Sequence, residues 1–309
     1  MKKIAVTAPY LQIEWEDYKD HFTGYDVIVP KVEERFEEDE MIKILGTGVE
    51  GIICGDDRIT KRVIDSTDKL KLIVKWGTGI DSIDKSYAES KGIKVLNTPN
   101  AFTIPVSEST IGLMLSILRK IDENNRLMHE GKWLKPKGYT LNEITVGIIG
   151  YGNIGSEVAR KLSVFCDNIL WHDIKSDEEL KSLNHTFYGK RVNRGNLLAS
   201  SDLISVHCDL NPTSYHLVDR SLLSAMKDGV IIINTARGPI IKEADLIEAL
   251  KSRKVSYAGL DVYENEPLPA DSVLRNMDNC ILLSHNTNTG HKAWRDVHLN
   301  SISMLKSNI

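Results

Sequence analysis

Short runs of aliphatic and β-branched residues alternate with polar, helix-prone stretches along most of this chain. In the first hundred residues, apolar runs at 4–7, 26–29, 51–54, 72–75 and 93–96 predict strands. Polar segments such as 37–45 and 82–91 lie between several of them and have helical composition. This alternation predicts βαβ units and a parallel sheet. A long helix is predicted from about residue 105 to about 130. Pro105 suits its first position, Ile111, Leu115, Leu118 and Ile121 form an apolar stripe, and Gly131 is a suitable stop. Further strands are predicted at 145–150, 168–171, 203–207, 230–234, 258–262 and 280–284. Residues 291–306 read as a last helix, expected to pack back onto the first domain.

The chain has 309 residues, enough for about two domains. Its 39 Lys and Arg against 43 Asp and Glu give a net charge of −4. A nucleic-acid partner held by a strong positive field is therefore not expected. No apolar run approaches the roughly 20 residues needed to cross a bilayer. Thr7 and Pro9 interrupt the N-terminal apolar run too early for a signal-peptide core. Cys54, Cys166, Cys208 and Cys280 have no paired spacing. That argues against a disulfide scaffold or a zinc site and makes a reducing cytoplasm the expected setting. No metal is expected.

Gly150-Tyr151-Gly152-Asn153-Ile154-Gly155 matches G-x-G-x-x-G, with a predicted strand before it and a helix from Ser156 after it. Gly150 allows the tight turn, Gly152 lets a pyrophosphate approach the backbone, and Gly155 lets helix and strand pack closely. The helix N-terminus offers N–H groups to phosphates. Asp173 lies 18 positions beyond Gly155, near the spacing of about 20 at which an acid binds the adenosine ribose. Its charge would repel a 2′-phosphate, so NAD is favoured over NADP.

Three more segments follow predicted strands: Asn234-Thr235-Ala236-Arg237-Gly238, Asp261 to Pro267, and Ser284-His285-Asn286. Ligands of doubly wound sheets bind beyond the carboxyl ends of the strands, where an Arg, an acid and a His could converge. With Gly77-Thr78-Gly79-Ile80-Asp81 and Asn97-Thr98-Pro99-Asn100, these motifs stand in the order and separations of one family. The chain resembles the D-isomer-specific 2-hydroxyacid dehydrogenases, in particular the group containing D-3-phosphoglycerate dehydrogenase.

The resemblance implies an α/β protein of two domains. A Rossmann-type doubly wound NAD-binding domain would span 98–285. A flavodoxin-like substrate domain would combine 1–97 with 286–309. It implies NAD-linked interconversion of a D-2-hydroxy acid and a 2-keto acid, of the phosphoglycerate dehydrogenase or hydroxypyruvate/glyoxylate reductase type. Arg237 would bind the substrate carboxylate, His285 would be the acid/base residue, and Glu266 would pair with it. Glu264 could do the same chemistry, but the Glu-Pro step favours Glu266. Cofactor contacts would come from Gly150, Gly152, Asn153, Ile154, Gly155, Asp173, Thr235, Ala236 and Asp261, the last receiving the nicotinamide carboxamide. His207 fits either a cofactor-lining or a core position. Lys75, Thr78 and Gly79 would bind substrate. A homodimer through the cofactor domain is implied, using an exposed arm over 129–139. His291 and His298 are expected on a solvated helix face. The same motifs also occur in NAD(H)-sensing corepressors, which is the alternative reading.

Two departures stand out. The family's Pro before the catalytic His and the glycines after it are replaced in Ser284-His285-Asn286-Thr287-Asn288. Cys54 stands where phosphoglycerate-type members carry a basic residue, and Asp56 and Asp57 follow it. A phosphate is disfavoured there unless Arg58 or Lys61 folds inward. No regulatory domain is expected after the last helix, nor feedback through one.

Overall fold

The computed structural model describes residues 1–182 and 186–309. Strands β1 (Lys3–Val6), β2 (Asp26–Ile28), β3 (Gly51–Cys54), β4 (Leu72–Lys75) and β5 (Lys94–Leu96) form a parallel sheet in the order β2-β1-β3-β4-β5. That order is flavodoxin-like. The central strands β3 and β4 are buried at every position, as parallel strands covered on both faces must be. The C-terminal helix His291–Asn308 packs on them, and a Cβ on Gly51 would collide with Ile309.

A second sheet holds β6 (Val146–Ile149), β7 (Ile169–His172), β8 (Lys190–Arg191), β9 (Leu203–Val206), β10 (Val230–Asn234), β11 (Val255–Leu260) and β12 (Cys280–Leu282). The order β12-β11-β10-β9-β6-β7-β8, all parallel, is the doubly wound arrangement. The direction in which successive strands are added reverses between β6 and β9, which makes the loops after these strands the topological switch point.

The chain divides into two compact units, Met1–Phe102 with Thr289–Ile309, and Thr103–Asn288. These boundaries fall a few residues later than the expected 97/98 and 285/286. Asn97 and Thr98 stay with the first sheet because Asn97 Nδ2 donates to Thr78 O (2.7 Å) and Thr98 Oγ1 accepts from Gly77 N (3.1 Å). Asn286 and Thr287 stay with the second because Asp261 holds them.

Two expectations are corrected, and one strand was not foreseen. The long helix is two helices, Thr103–Leu118 and Ile121–His129. Lys120 turns left-handed at φ 55°, and the Leu118 carbonyl accepts from Tyr139 N (2.9 Å) instead of continuing the helical ladder. Strand β8 went unpredicted because it is two residues long with no apolar run. Finally, His298 is completely buried. Its helix turns that face onto the first sheet, where Trp76 Nε1 donates to His298 Nδ1 (2.8 Å). The rings of Tyr18, Trp76 and Trp294 surround it, and burial pushes its pKa down to about 4.

Candidate active site

The glycine loop is fixed by what surrounds it. Gly150 has φ 92°, and a Cβ there would lie 2.5 Å from Cys208 N and 2.7 Å from His207 C. A Cβ on Gly155 would collide with the Gly150 carbonyl. Gly152 differs: its missing Cβ would meet nothing within 4 Å, so the approach to the helix Asn153–Leu162 is open. Asn153 is exposed at the first helical position, and Ile154 is half-buried against the core of this unit. Tyr151 anchors the loop from below. Its ring stacks on Trp171 at 4.0 Å and its hydroxyl accepts from Tyr188 N (2.8 Å).

Asp173 follows β7 and stands beside this loop. Its carboxylate accepts from Tyr151 N (2.6 Å) and Lys175 N (2.8 Å). Across the switch point, His207 is nearly buried, with Nε2 2.8 Å from Ser205 Oγ. Its Nδ1 is buried without a hydrogen-bond partner, and burial pushes its pKa down to about 3. It is a neutral ring under physiological conditions.

After β10, the chain turns through Thr235, Ala236 and Arg237. Thr235 Oγ1 lies 2.9 Å from Thr110 Oγ1. Asn234 closes the turn, accepting from Ala236 N (3.1 Å) and donating to Arg237 O (3.0 Å). Half-buried Arg237 donates through Nη1 to Ala236 O (2.9 Å). Gly238 lies against the Tyr263–Glu264 backbone so closely that a Cβ would overlap it. This contact brings the Arg237 turn against the loop that follows β11.

In that loop the two glutamates separate. Glu266 Oε2 lies 2.9 Å from His285 Nδ1, and its Oε1 accepts from Tyr263 N (3.0 Å). Glu264 instead faces His216 Nε2 at 2.7 Å. His285 itself is left-handed, with φ 53°, and its N–H donates to Asp261 O (2.8 Å). The Asp261 side chain has no exposed surface. Its carboxylate is committed to the loop after His285, accepting from Asn286 N (2.9 Å), Thr287 N (3.2 Å) and Thr287 Oγ1 (2.5 Å).

In the first unit, Lys75 ends β4, is 4% exposed, and its ammonium lies 3.0 Å from Asp56 Oδ1. Gly77 has φ 119°, and Thr78 Oγ1 donates to Thr98 O (3.1 Å), which shapes the turn carrying Thr78 and Gly79. Asp57 is buried and accepts from Thr7 Oγ1, Phe36 N and Gly55 N. Desolvation raises its pKa to about 6. Arg58 does not fold inward: its guanidinium pairs with Glu37 and is half exposed. Lys61 stands over the Tyr87 ring at 5.7 Å.

Comparison with known proteins decides the family. Residues 111–287 match the family model for the D-isomer specific 2-hydroxyacid dehydrogenase, NAD binding domain. The chain belongs to the D-isomer specific 2-hydroxyacid dehydrogenase family. It is 39% identical over 257 residues to a hydroxypyruvate reductase of Thermotoga maritima, covering 82% of each chain. It is also 39% identical over 237 residues to a D-3-phosphoglycerate dehydrogenase of Archaeoglobus fulgidus, covering 76% of this chain but 44% of that one. Among solved structures, a D-lactate dehydrogenase from Aquifex aeolicus complexed with NAD and lactic acid has a TM-score of 0.84 and 26% identity. That alignment covers 99% of this chain and 95% of the other.

This dehydrogenase is thus an NAD-dependent oxidoreductase acting on a CH–OH group. The cofactor's demands fit what is present: an open helix N-terminus, a glycine loop without room for a Cβ at Gly150 and Gly155, and an acid just after β7. When bound, NAD supplies or accepts the hydride. The NAD(H)-sensing corepressor alternative has no support among these relatives. Sequence reading gave no role to Tyr151, Thr110, Gly238 and Thr287, which shape the loops carrying the candidate residues. Gly238 stands inside the Asn234–Gly238 motif, yet its reason is a contact with the Tyr263–Glu264 backbone, 25 and 26 positions further on. Thr287 was visible only as a departure from the family pattern.

All four cysteines are free. Burial raises the thiol pKa of Cys54, of Cys208 to about 11 and of Cys280 to about 12, which leaves them poor nucleophiles near neutral pH. No helix among the described residues is long and apolar enough to cross a membrane.

Proposed function

We propose that this enzyme reduces a small 2-keto acid without a phosphate group, of the glyoxylate or hydroxypyruvate kind, in the cytoplasm. The observation that carries the chemistry is the Glu266–His285 pair at 2.9 Å. A carboxylate at this distance favours the protonated ring and holds Nδ1. Nε2 is then the atom that gives its proton to the substrate carbonyl oxygen as the carbonyl carbon receives the hydride. In the oxidative direction, Nε2 takes that proton back. Arg237 holds the substrate carboxylate with its planar fork of donors and polarises the carbonyl. In the first unit, the turn at Thr78 and Gly79 offers backbone N–H groups of the kind that bind a carboxylate. The glycine loop takes the pyrophosphate, Asp173 the adenosine ribose, and the turn at Thr235 and Ala236 lines the cofactor.

The lack of phosphate follows from the first unit. Lys75 is already neutralised by Asp56, Asp57 adds a second acid, and Arg58 is turned to Glu37. A dianionic phosphate brought to this strand end would meet carboxylates rather than a bidentate cation. Following NADH consumption with glyoxylate, hydroxypyruvate and phosphohydroxypyruvate tests this. The plain acids should give the higher kcat/KM, and a preference for the phosphorylated acid would overturn the assignment. Silence on every acid, with NADH bound tightly, would return the corepressor reading.

We also propose a homodimer formed by the second unit. The helix Ile121–His129 has no buried residue, and the arm beyond it exposes Trp133 at 79%. Exposed apolar surface of this kind marks an interface. Light scattering should give twice the chain mass, and a monomer at micromolar concentration would refute the dimer.

A further inference from the structure

We propose that Thr287 is a positioning residue: by latching onto Asp261, it holds His285 in the orientation that meets Glu266. The inference rests on the acid/base reading of His285. It starts from a conformational cost. His285 has φ 53°, a left-handed backbone that residues other than glycine seldom adopt. Such a conformation persists only where the surroundings over-determine it. The family's small, permissive residues after the histidine are absent here, and Asn286, Thr287 and Asn288 follow instead.

The surroundings are specific. Asp261 sits immediately after β11, and its carboxylate has no exposed surface. A charge buried to that degree must be satisfied by donors. Asn286 N supplies one, and Thr287 supplies two, from its backbone N–H and its hydroxyl, both to Oδ2. Thr287 is itself 3% exposed, and its carbonyl accepts from Ser109 Oγ at 3.4 Å. His285 N donates to the Asp261 carbonyl. One residue therefore grips the chain on both sides of the imidazole: its backbone before the left-handed turn and its carboxylate after it. Hydrogen bonds to a buried charge are the strong kind.

The test compares Thr287→Val, Thr287→Ser and His285→Gln in keto-acid reduction across pH, with NADH affinity read by fluorescence titration. Valine keeps the bulk and removes the hydroxyl. Thr287→Val should lower kcat about tenfold and shift the pH of half-maximal kcat downward, because a ring drawn away from Glu266 loses the partner that favours its protonated form. NADH affinity should stay within about twofold, since the latch acts on the ring and not on the glycine loop. Thr287→Ser should restore kcat and the pH profile. If valine does not yield folded protein, Thr287→Ala carries the same expectation. An unchanged kcat and pH profile in the valine or alanine variant would overturn the latch. So would a loss that serine does not rescue, which would assign the effect to methyl packing. A loss of NADH affinity as large as the loss of kcat would overturn it as well. Wild-type turnover in His285→Gln would instead overturn the acid/base reading, so the two failures are distinguishable.

Discussion

Two loops at the carboxyl edge of the same sheet are built on opposite principles. The 150–155 loop is shaped by missing side chains. Gly150 and Gly155 are held where any Cβ would strike backbone, and the groups proposed to take the pyrophosphate are main-chain N–H donors. The 261–287 region is shaped by side chains that are present. Asp261 and Glu266 fix a histidine in a backbone conformation it would not choose. A phosphate cradle needs close approach, which steric absence gives. A proton-transfer group needs a defined direction, which hydrogen bonds give. The two histidines show the same contrast: His207 is buried and held neutral, whereas His285 is paired with a carboxylate.

The comparison can be broken most sharply at His285. His285→Ala should lower kcat by about 10²–10⁴-fold and leave NADH affinity nearly unchanged in a titration. A comparable loss of both would mean that the two loops are not separate devices. Gly155→Ala should do the reverse. Overpacking against the Gly150 carbonyl costs about 1–3 kcal/mol, to be read as weaker NADH binding, with little change in kcat at saturating NADH. Intact affinity would show that steric closeness there is dispensable.

The smallest effect concerns His207 and pH. The folded state holds this ring neutral down to about pH 3, while the unfolded chain takes up the proton near 6.5. The unfolded state therefore binds more protons below 6.5, so His207's contribution is fully present above that pH and fades as pH falls. His207→Gln removes this penalty. Between pH 6.5 and 4.5 it should flatten the loss of unfolding free energy by about 2–3 kcal/mol, measured by urea titration at each pH. An equal slope in both proteins would place water or a partner on Nδ1.

How much of this was legible beforehand differs by region. The parallel sheets, the glycine loop and Asp173 could be read because their signals are local: an apolar run, a turn that excludes Cβ, and an acid one strand later. The helix break at Lys120 could not, because the residue that takes the Leu118 carbonyl is Tyr139, on a returning arm. His298 was misplaced for a related reason. Seven-residue spacing put it on a helix face, but only docking on the first sheet decided that this face is buried against Trp76.

The sequence by itself determined the fold class, the family and the kinds of group available for chemistry, because those depend on residue type and short spacing. Tertiary structure decided which groups meet. Glu264 and Glu266 are two residues apart and chemically alike. Backbone direction alone sends one to His216 and the other to His285. Asp261 and Thr287 are 26 positions apart, and no local pattern joins them. They meet because β11 and β12 are neighbours in register, and a buried carboxylate must find its donors wherever the fold delivers them.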